Sequence, residues 1–365
     1  MQANLSSPQL PISDKVLQRT SDDVAALTAA LQGAISGGSD IISAYEAELA
    51  KTFSARQAIA VSSGGAALIA ALYGAGVKPG DEVILPPTCP LCTIYPIMAL
   101  GATPVFCDTN PDDFGLDLAD LKRVATAKTR AVIDVPMWGY PTPVDKLRDA
   151  TQSLGARLIL DLAHSHGAKL GGRDLSSYGE LSCYSTHERK IISTGEGGFI
   201  LSDDDALAGV IRSYIKFGNL NGRDFGLNYK LSGTQAALGK ARIAHLDELL
   251  ARRRTTAQRV ASGIVRQGVR AFDILPGGVP SYYFMLVRLT LDDNKRFIDY
   301  LDSKGIPSDI KRYGCKTLYQ FPALESYRRP CPNAEQLLAS VTTIPVHPGI
   351  TDAEADYMIA TINAY

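Results

Sequence analysis

Short runs of residues that are apolar on both faces alternate with helical periodicity through the first two-thirds of the sequence. No other feature restricts the fold as much. Residues 58–62 (AIAVS) read as a strand, and Ala66 to Tyr73 as a helix beginning directly after Gly64-Gly65. Pro79-Gly80-Asp81 is a turn signal ahead of a strand at Glu82 to Leu85. A helix over Thr93 to Gly101 and a strand from Pro104 to Cys107 follow. Strands at Ala131 to Val135, Arg157 to Leu160 and Phe199 to Ser202 extend the series, with a helix near Val144 to Leu154. Strands apolar on both faces belong in a central, mostly parallel sheet covered by helices. The pattern predicts an α/β domain of about 220 residues.

Around this core the chain divides into three parts. Residues 1–20 are polar and proline-containing and read as an N-terminal arm. A large domain over 21–245 opens with apolar helical spacing at Val24 to Ile35 and Ile42 to Phe53. Gln235 to Val260 reads as one long helix, with the charged run ARRRTTAQR, leading into a smaller C-terminal α+β domain over 246–365. That domain carries a predicted strand at Tyr282 to Thr290 and a helix at Asn294 to Lys304.

Composition excludes several function classes. The 365 residues are 45% hydrophobic and 21% charged with a net charge of −1, so no electrostatic footprint for nucleic acid or an anionic membrane exists. No run of about 18 apolar residues predicts a membrane span. The opening MQANLSSPQLPISDKVLQ lacks a basic segment followed by an apolar core, and a cytoplasmic location is expected. The six cysteines read as free thiols. Cys89-Pro-Leu-Cys92 has the spacing of a redox dithiol or half a zinc site, but no second CxxC or HxxxH accompanies it, and no metal ligand set is assigned.

Three segments carry chemistry. In RLILDLAHSHGA, Asp161 ends an apolar run and so falls at the C-terminal edge of a parallel sheet, where open α/β proteins bind ligands. A carboxylate there either caps the next helix or answers a ligand, since burying it alone is costly. Further on, CYSTHERKIISTGEGG places Lys190 before a glycine turn. Such a lysine is either solvated or available as an amine nucleophile toward an aldehyde. Ser62-Ser63-Gly64-Gly65-Ala66 joins a strand to a helix through small residues, leaving backbone N–H groups suited to a phosphate. Each signal is weak alone. Together they supply a phosphate cradle at Gly65 and Ala66, a carboxylate for a pyridinium nitrogen and a lysine for a Schiff base, which is the set pyridoxal 5'-phosphate requires.

In order and wording the motifs resemble the DegT/DnrJ/EryC1/StrS family, the sugar-aminotransferase-like branch of fold type I pyridoxal-phosphate enzymes. AVSSGGAALIAAL resembles its phosphate-binding strand and helix, and KPGDEVILPP and GATPVFCDTNPDDFGLD its next two blocks. DLAHSHGA resembles the block whose Asp meets the pyridine nitrogen, which implies Asp161, with His164 near the ring. CYSTHERKIISTGEGG implies Lys190 as the Schiff-base residue and Ser185 as a phosphate ligand. GLNYKLSGTQAALG implies that Asn228 reaches the phosphate of a partner subunit, and hence a homodimer; IPVHPGIT matches the C-terminal block.

The resemblance also has gaps. Gly65 stands where the family usually has Thr, Pro90 where an aromatic stacks on the ring, and Gly233 where a Glu is usual. GGSDIIS replaces the usual Gly-Trp-Leu-Thr-like segment. His187 is a candidate proton carrier or a structural residue; His166 and His347 read as structural and Trp138 as core. Arg252-Arg253-Arg254 reads as a solvated helix face, and Tyr313 and Lys230 as substrate contacts by position.

The resemblance implies an aminotransferase that takes nitrogen from glutamate or glutamine and gives it to a keto-sugar nucleotide or a keto-cyclitol. Lys190 would hold the cofactor and then shuttle the proton. A different pyridoxal-phosphate reaction on the same scaffold (elimination, substitution or condensation) is the alternative, and a non-catalytic regulatory homologue a third. The family's dehydratase branch carries His in place of the lysine, and Lys190 disfavours it.

Overall fold

The apolar runs do form one sheet. A computed structural model describes residues 10–16, 19–312 and 314–365. Its strands are β1 (Gln57–Val61), β2 (Glu82–Leu85), β3 (Thr103–Phe106), β4 (Thr129–Asp134), β5 (Arg157–Asp161), β6 (Lys169–Leu170), β7 (Arg173–Asp174), β8 (Leu181–Ser185), β9 (Gly198–Ser202), β10 (Val269–Ala271), β11 (Gly278–Val279), β12 (Met285–Leu289) and β13 (Val341–Ile344). Seven make the central sheet in the order β1-β9-β8-β5-β4-β2-β3. Only β9 opposes the common direction of the other six. Every residue of β8 and β9 is buried, as expected of strands covered on both faces. The architecture is that of fold type I: a large α/β unit on a mostly parallel sheet, followed by a smaller antiparallel sheet, β10-β12-β13, in the C-terminal part.

Topology brings the functional segments to one edge. β1, β5 and β8 all end there, so the Ser62-Ser63 turn, Asp161 and Ser185 leave the sheet side by side. Gly198 begins β9 at this same edge and pairs with Val61 on one side and Ser185 on the other. A Cβ on Gly198 would lie 2.5 Å from the Tyr184 carbonyl oxygen and 2.7 Å from that of Ser63. Those are backbone atoms and cannot swing aside. The last glycine of GEGG is therefore a spacing requirement of the sheet.

Three elements differ from the sequence-based expectation. The first helix, Ser21–Ala30, stops short of Gly33 instead of reaching Ile35. The long helix is two, Gly233–Ile243 and Leu246–Gly263, with a turn at Ala244-His245 that no Gly or Pro announces. The strand predicted from Tyr282 begins only at Met285. Ahead of it, Tyr282 has φ of +52°, and the Ser281 and Tyr283 N–H groups donate to the Gly139 and Trp138 carbonyls. Arg253 explains the rest. It is buried, not solvated, and its Nη1 donates to the carbonyls of Tyr282 (3.0 Å) and Tyr283 (3.1 Å). The segment thus bonds to a helix and a loop instead of to a neighbouring strand.

Replacing Gly198 with Ala should destabilise the protein by roughly 1–3 kcal/mol through this backbone collision. Urea unfolding measures it, and a midpoint equal to that of the unaltered protein would refute the spacing argument.

Candidate active site

Asp161 closes β5 and is buried, 4% exposed. Thr93, on the helix Leu91–Ala99, donates its hydroxyl to Asp161 Oδ2 at 2.7 Å, and the Ala163 N–H donates to Oδ1 at 3.2 Å. Burial pushes this carboxyl above the ordinary aspartate range; the Thr93 and Ala163 hydrogen bonds and the nearby Lys190 charge oppose the shift without cancelling it. Thr93 was invisible as a site residue in the sequence, because a threonine inside an apolar helix is ordinary.

The phosphate cradle is built from close approach. Ser63 caps the helix Gly64–Gly74, its Oγ accepting from the Ala66 N–H at 3.0 Å. Ala66 is thereby spent on the cap, and the first-turn donors left without intrahelical acceptors are those of Gly64 and Gly65. A Cβ on Gly64 would meet Ser185 Cβ at 2.7 Å, so the helix start can touch the end of β8 only through glycine. Gly65 is different: the nearest atom to a Cβ there is Ser63 Oγ at 3.8 Å, and a larger residue has room. Ser185 Oγ accepts from the His187 N–H at 3.3 Å.

Lys190 sits on the connection from β8 to β9. Backbone bonds Thr186–Gly197, Glu188–Gly195 and Thr194–Thr186 fold it into a compact loop, with the Thr186 and Thr194 hydroxyls 2.7 Å apart. Gly195 has φ of +85°, a conformation that a side chain would strain. The Lys190 N–H donates to the His187 carbonyl at 2.8 Å, and its Nζ lies 4.9 Å from the centre of the Tyr283 ring. Tyr283 is in turn stacked on His164, centroids 4.4 Å apart and planes 12° from parallel. Burial keeps His164 neutral, well below the usual histidine range, and the Lys190 charge adds to the effect. Tyr283 and Tyr184 are the tyrosines in the wall of this cavity, and Tyr283 is the one whose ring stands against Lys190, whereas Pro90 only precedes the helix Leu91–Ala99.

One cavity of about 310 Å³ takes Ser63, Gly65, Asp161, Ser185, Lys190 and Tyr283 into its wall, together with Cys92, Arg189 and Arg312. Gly65, Asp161, Ser185 and Lys190 are thus brought together as the sequence predicts. His164 stands behind Tyr283, and Ala66 lies buried in the helix. Asn228 is exposed, bridged to Lys216, and outside this wall. Lys230 bridges Val61 and stands over Phe217. His187 reaches the wall; His166 packs against Tyr184, and His347 bonds the Ser13 carbonyl. Trp138 is buried with its indole on Asp309. Tyr313 lies outside the described residues. Cys89 is a buried free thiol whose ionisation burial opposes, and Cys92 is an exposed free thiol. Among the described residues no helix is long and apolar enough to cross a membrane.

The chain is 28% identical over 378 residues to dTDP-3-amino-3,4,6-trideoxy-alpha-D-glucose transaminase of Streptomyces venezuelae, covering 100% of this chain and 98% of that one. It is 29% identical over 329 residues to GDP-perosamine synthase of Caulobacter vibrioides, covering 87% and 88%. The crystal structure of S. venezuelae DesV in complex with a ketimine intermediate superposes with a TM-score of 0.88 at 28% identity, over 94% of both chains. The family model described as the DegT/DnrJ/EryC1/StrS aminotransferase family matches residues 18–363, and the chain is an aminotransferase belonging to that family.

Proposed function

We propose that this aminotransferase binds pyridoxal phosphate in the Lys190 cavity and moves an amino group from glutamate or glutamine to the carbonyl of a nucleotide-linked keto-sugar. The observation that carries the reading is the meeting of Asp161, the Gly64-Gly65 helix start with Ser185, and Lys190 around one cavity. The sugar part rests on the relatives, whose names are those of a dTDP-sugar transaminase and a GDP-perosamine synthase. A keto-cyclitol is the alternative acceptor.

The residues present fit the cofactor. The first-turn N–H groups of Gly64 and Gly65 are suited to a phosphate, with the space beside Gly65 open and Ser185 packed against Gly64. Asp161 is a buried carboxylate short of positive charge, and a protonated ring nitrogen answers that need. When bound, pyridoxal phosphate supplies an aldehyde that captures amines and a cationic ring that withdraws electrons from the substrate Cα. Everything else falls to side chains of this chain. Asp161 keeps the ring nitrogen protonated, and Thr93 fixes the angle of its carboxylate. Lys190 Nζ takes the proton from the donor Cα and later returns one to the sugar carbon that receives nitrogen. Tyr283, held by Arg253 through its carbonyl, walls the space beside Lys190 against water. Asn228, exposed and away from its own cavity, would serve the phosphate of a second protomer in a homodimer.

Lys190→Ala should abolish the visible absorbance of lysine-bound cofactor and slow amino transfer from glutamate or glutamine by about 10²- to 10⁴-fold. Transfer at the unaltered rate would overturn the assignment. Asp161→Asn should weaken cofactor retention yet spare the cofactor-free fold. Because burial raises the folded pKa of Asp161, the cofactor-free protein binds more protons than its unfolded chain and loses stability as pH rises from the ordinary aspartate range through the raised value. The Asn variant lacks that loss, so its cofactor-free melting temperature at neutral pH should equal or exceed that of the unaltered protein; a clear drop would count against it. Gly65→Thr, which has room for its side chain, should slow cofactor dissociation by about threefold to tenfold through one added hydroxyl donor. Dialysis followed by absorbance reads this, and faster loss than in the parent would disprove it.

A further inference from the structure

Two arginines in the wall of the Lys190 cavity are unused by the chemistry above. Arg189 directly precedes the lysine, and Arg312 comes from the short helix Asp309–Arg312. Their Nη2 atoms converge on one oxygen, Asp14 Oδ2, at 2.5 Å and 2.8 Å. Asp14 belongs to the N-terminal segment, nearly three hundred positions from Arg312 in sequence. Behind the pair, Asp309 receives the Trp138 indole on Oδ2 at 2.9 Å, and its Oδ1 stands 4.0 Å from Arg189 and 3.7 Å from Arg312 without a hydrogen bond. Arg189 Nε is likewise buried without a partner.

We propose that Arg189 and Arg312 are the site for a carboxylate of the amino donor, and that Asp14 occupies it as an internal competitor which the donor displaces. This rests on the reading that the donor is an amino acid. Convergence of two guanidiniums on one oxygen shows that the position accepts a carboxylate and satisfies it. Its location is close to the proposed reaction: Arg189, Lys190 and Tyr283 line both this cavity and the adjoining one that Asp14 lines, and the Tyr283 ring lies 4.9 Å from Lys190 Nζ.

The charges favour exchange. With Asp14 in place, two guanidiniums face two carboxylates; with Asp14 withdrawn, they face only Asp309, and one negative group restores the balance. A single carboxylate is the matching ligand, where a sugar diphosphate brings more charge than the site lacks. Asp14 can leave at little cost to the backbone. Its neighbours are tied independently, Ile12 N–H to the Gly305 carbonyl and the Ser13 carbonyl to His347, while Lys15 pairs with Glu188. Rotation about the Asp14 side chain alone opens the clamp.

The test uses the cofactor-loaded enzyme and two readouts. The first is binding of maleate, an unreactive dicarboxylate, by calorimetry. The second is the KM for glutamate or glutamine set against the KM for the acceptor. Arg312→Ala should weaken maleate and raise the donor KM by about tenfold to a hundredfold with the acceptor KM unmoved, and Arg312→Lys should recover part of the loss. Asp14→Asn should do the reverse, tightening maleate and lowering the donor KM by about threefold to tenfold, because the competitor is gone. A purely structural anchor predicts a lower melting temperature for Asp14→Asn with maleate binding unchanged or weaker, and that result overturns the proposal. So does a rise in acceptor KM alone with Arg312→Ala. An unaltered enzyme that takes nitrogen from no carboxylated donor refutes the donor reading itself, which is a different failure.

Discussion

A carboxylate buried at the end of a sheet strand is the constraint around which this active site is arranged. Asp161 has only Thr93 and one backbone N–H to satisfy it, and these do not offset its desolvation. The fold tolerates the deficit because it is small against the buried core, and because Lys190 supplies part of the missing charge. The cationic ring of the proposed cofactor would supply the remainder. Under the proposed function, this local weakness of the fold would be a source of affinity for a protonated pyridine, a case of stability given up where function needs it.

The same logic of imperfect satisfaction runs through the second layer. Arg253 is a fully buried cation facing only carbonyl oxygens, and burial pulls its pKa down to about 10. Its role is geometric. By holding the Tyr282 and Tyr283 carbonyls it stops that segment from pairing as a strand, and so delivers Tyr283 between Lys190 and His164. The sheet edge, the helix Leu246–Gly263 and the N-terminal segment thus meet at a single lysine although they are distant in sequence.

Periodicity and side-chain size made much of this legible. The strands came from apolar runs at residues 58–62, 82–85 and 157–160, because burial on both faces leaves no room for polar alternation. Asp161 was readable for the opposite reason, a charge at the end of an apolar run, whereas Lys190, before a glycine turn, was readable only together with the other motifs and the family resemblance. The Gly64-Gly65 pair was readable as a helix start, yet sequence could not tell that Gly64 is forced by Ser185 while Gly65 is not. Arg253, Thr93 and Tyr283 were illegible because their roles lie in contacts with remote segments. An arginine in the run ARRRTTAQR looks solvated until the packing of Leu246–Gly263 is known.

Those blind spots bear on how substrate choice is written into such a chain. The sheet edge offers a fixed place for cofactor, and the residues there follow from strand ends and tight turns. The residues proposed to face the substrate come from elsewhere: Tyr283 from the approach to β12, Arg312 from a four-residue helix, Asp14 from the N-terminal segment. None is set by the sheet, so Arg312 and Asp14 can change without disturbing Asp161, whereas Tyr283 stands against Lys190. Gly65 and Pro90 fit that division. With Pro90 only leading into its helix, Tyr283 is the aromatic ring beside the lysine, and Tyr184 of β8 is the second tyrosine of the wall. Under the proposed function, cofactor and substrate recognition would be coupled through Tyr283, whose position Arg253 and His164 jointly fix.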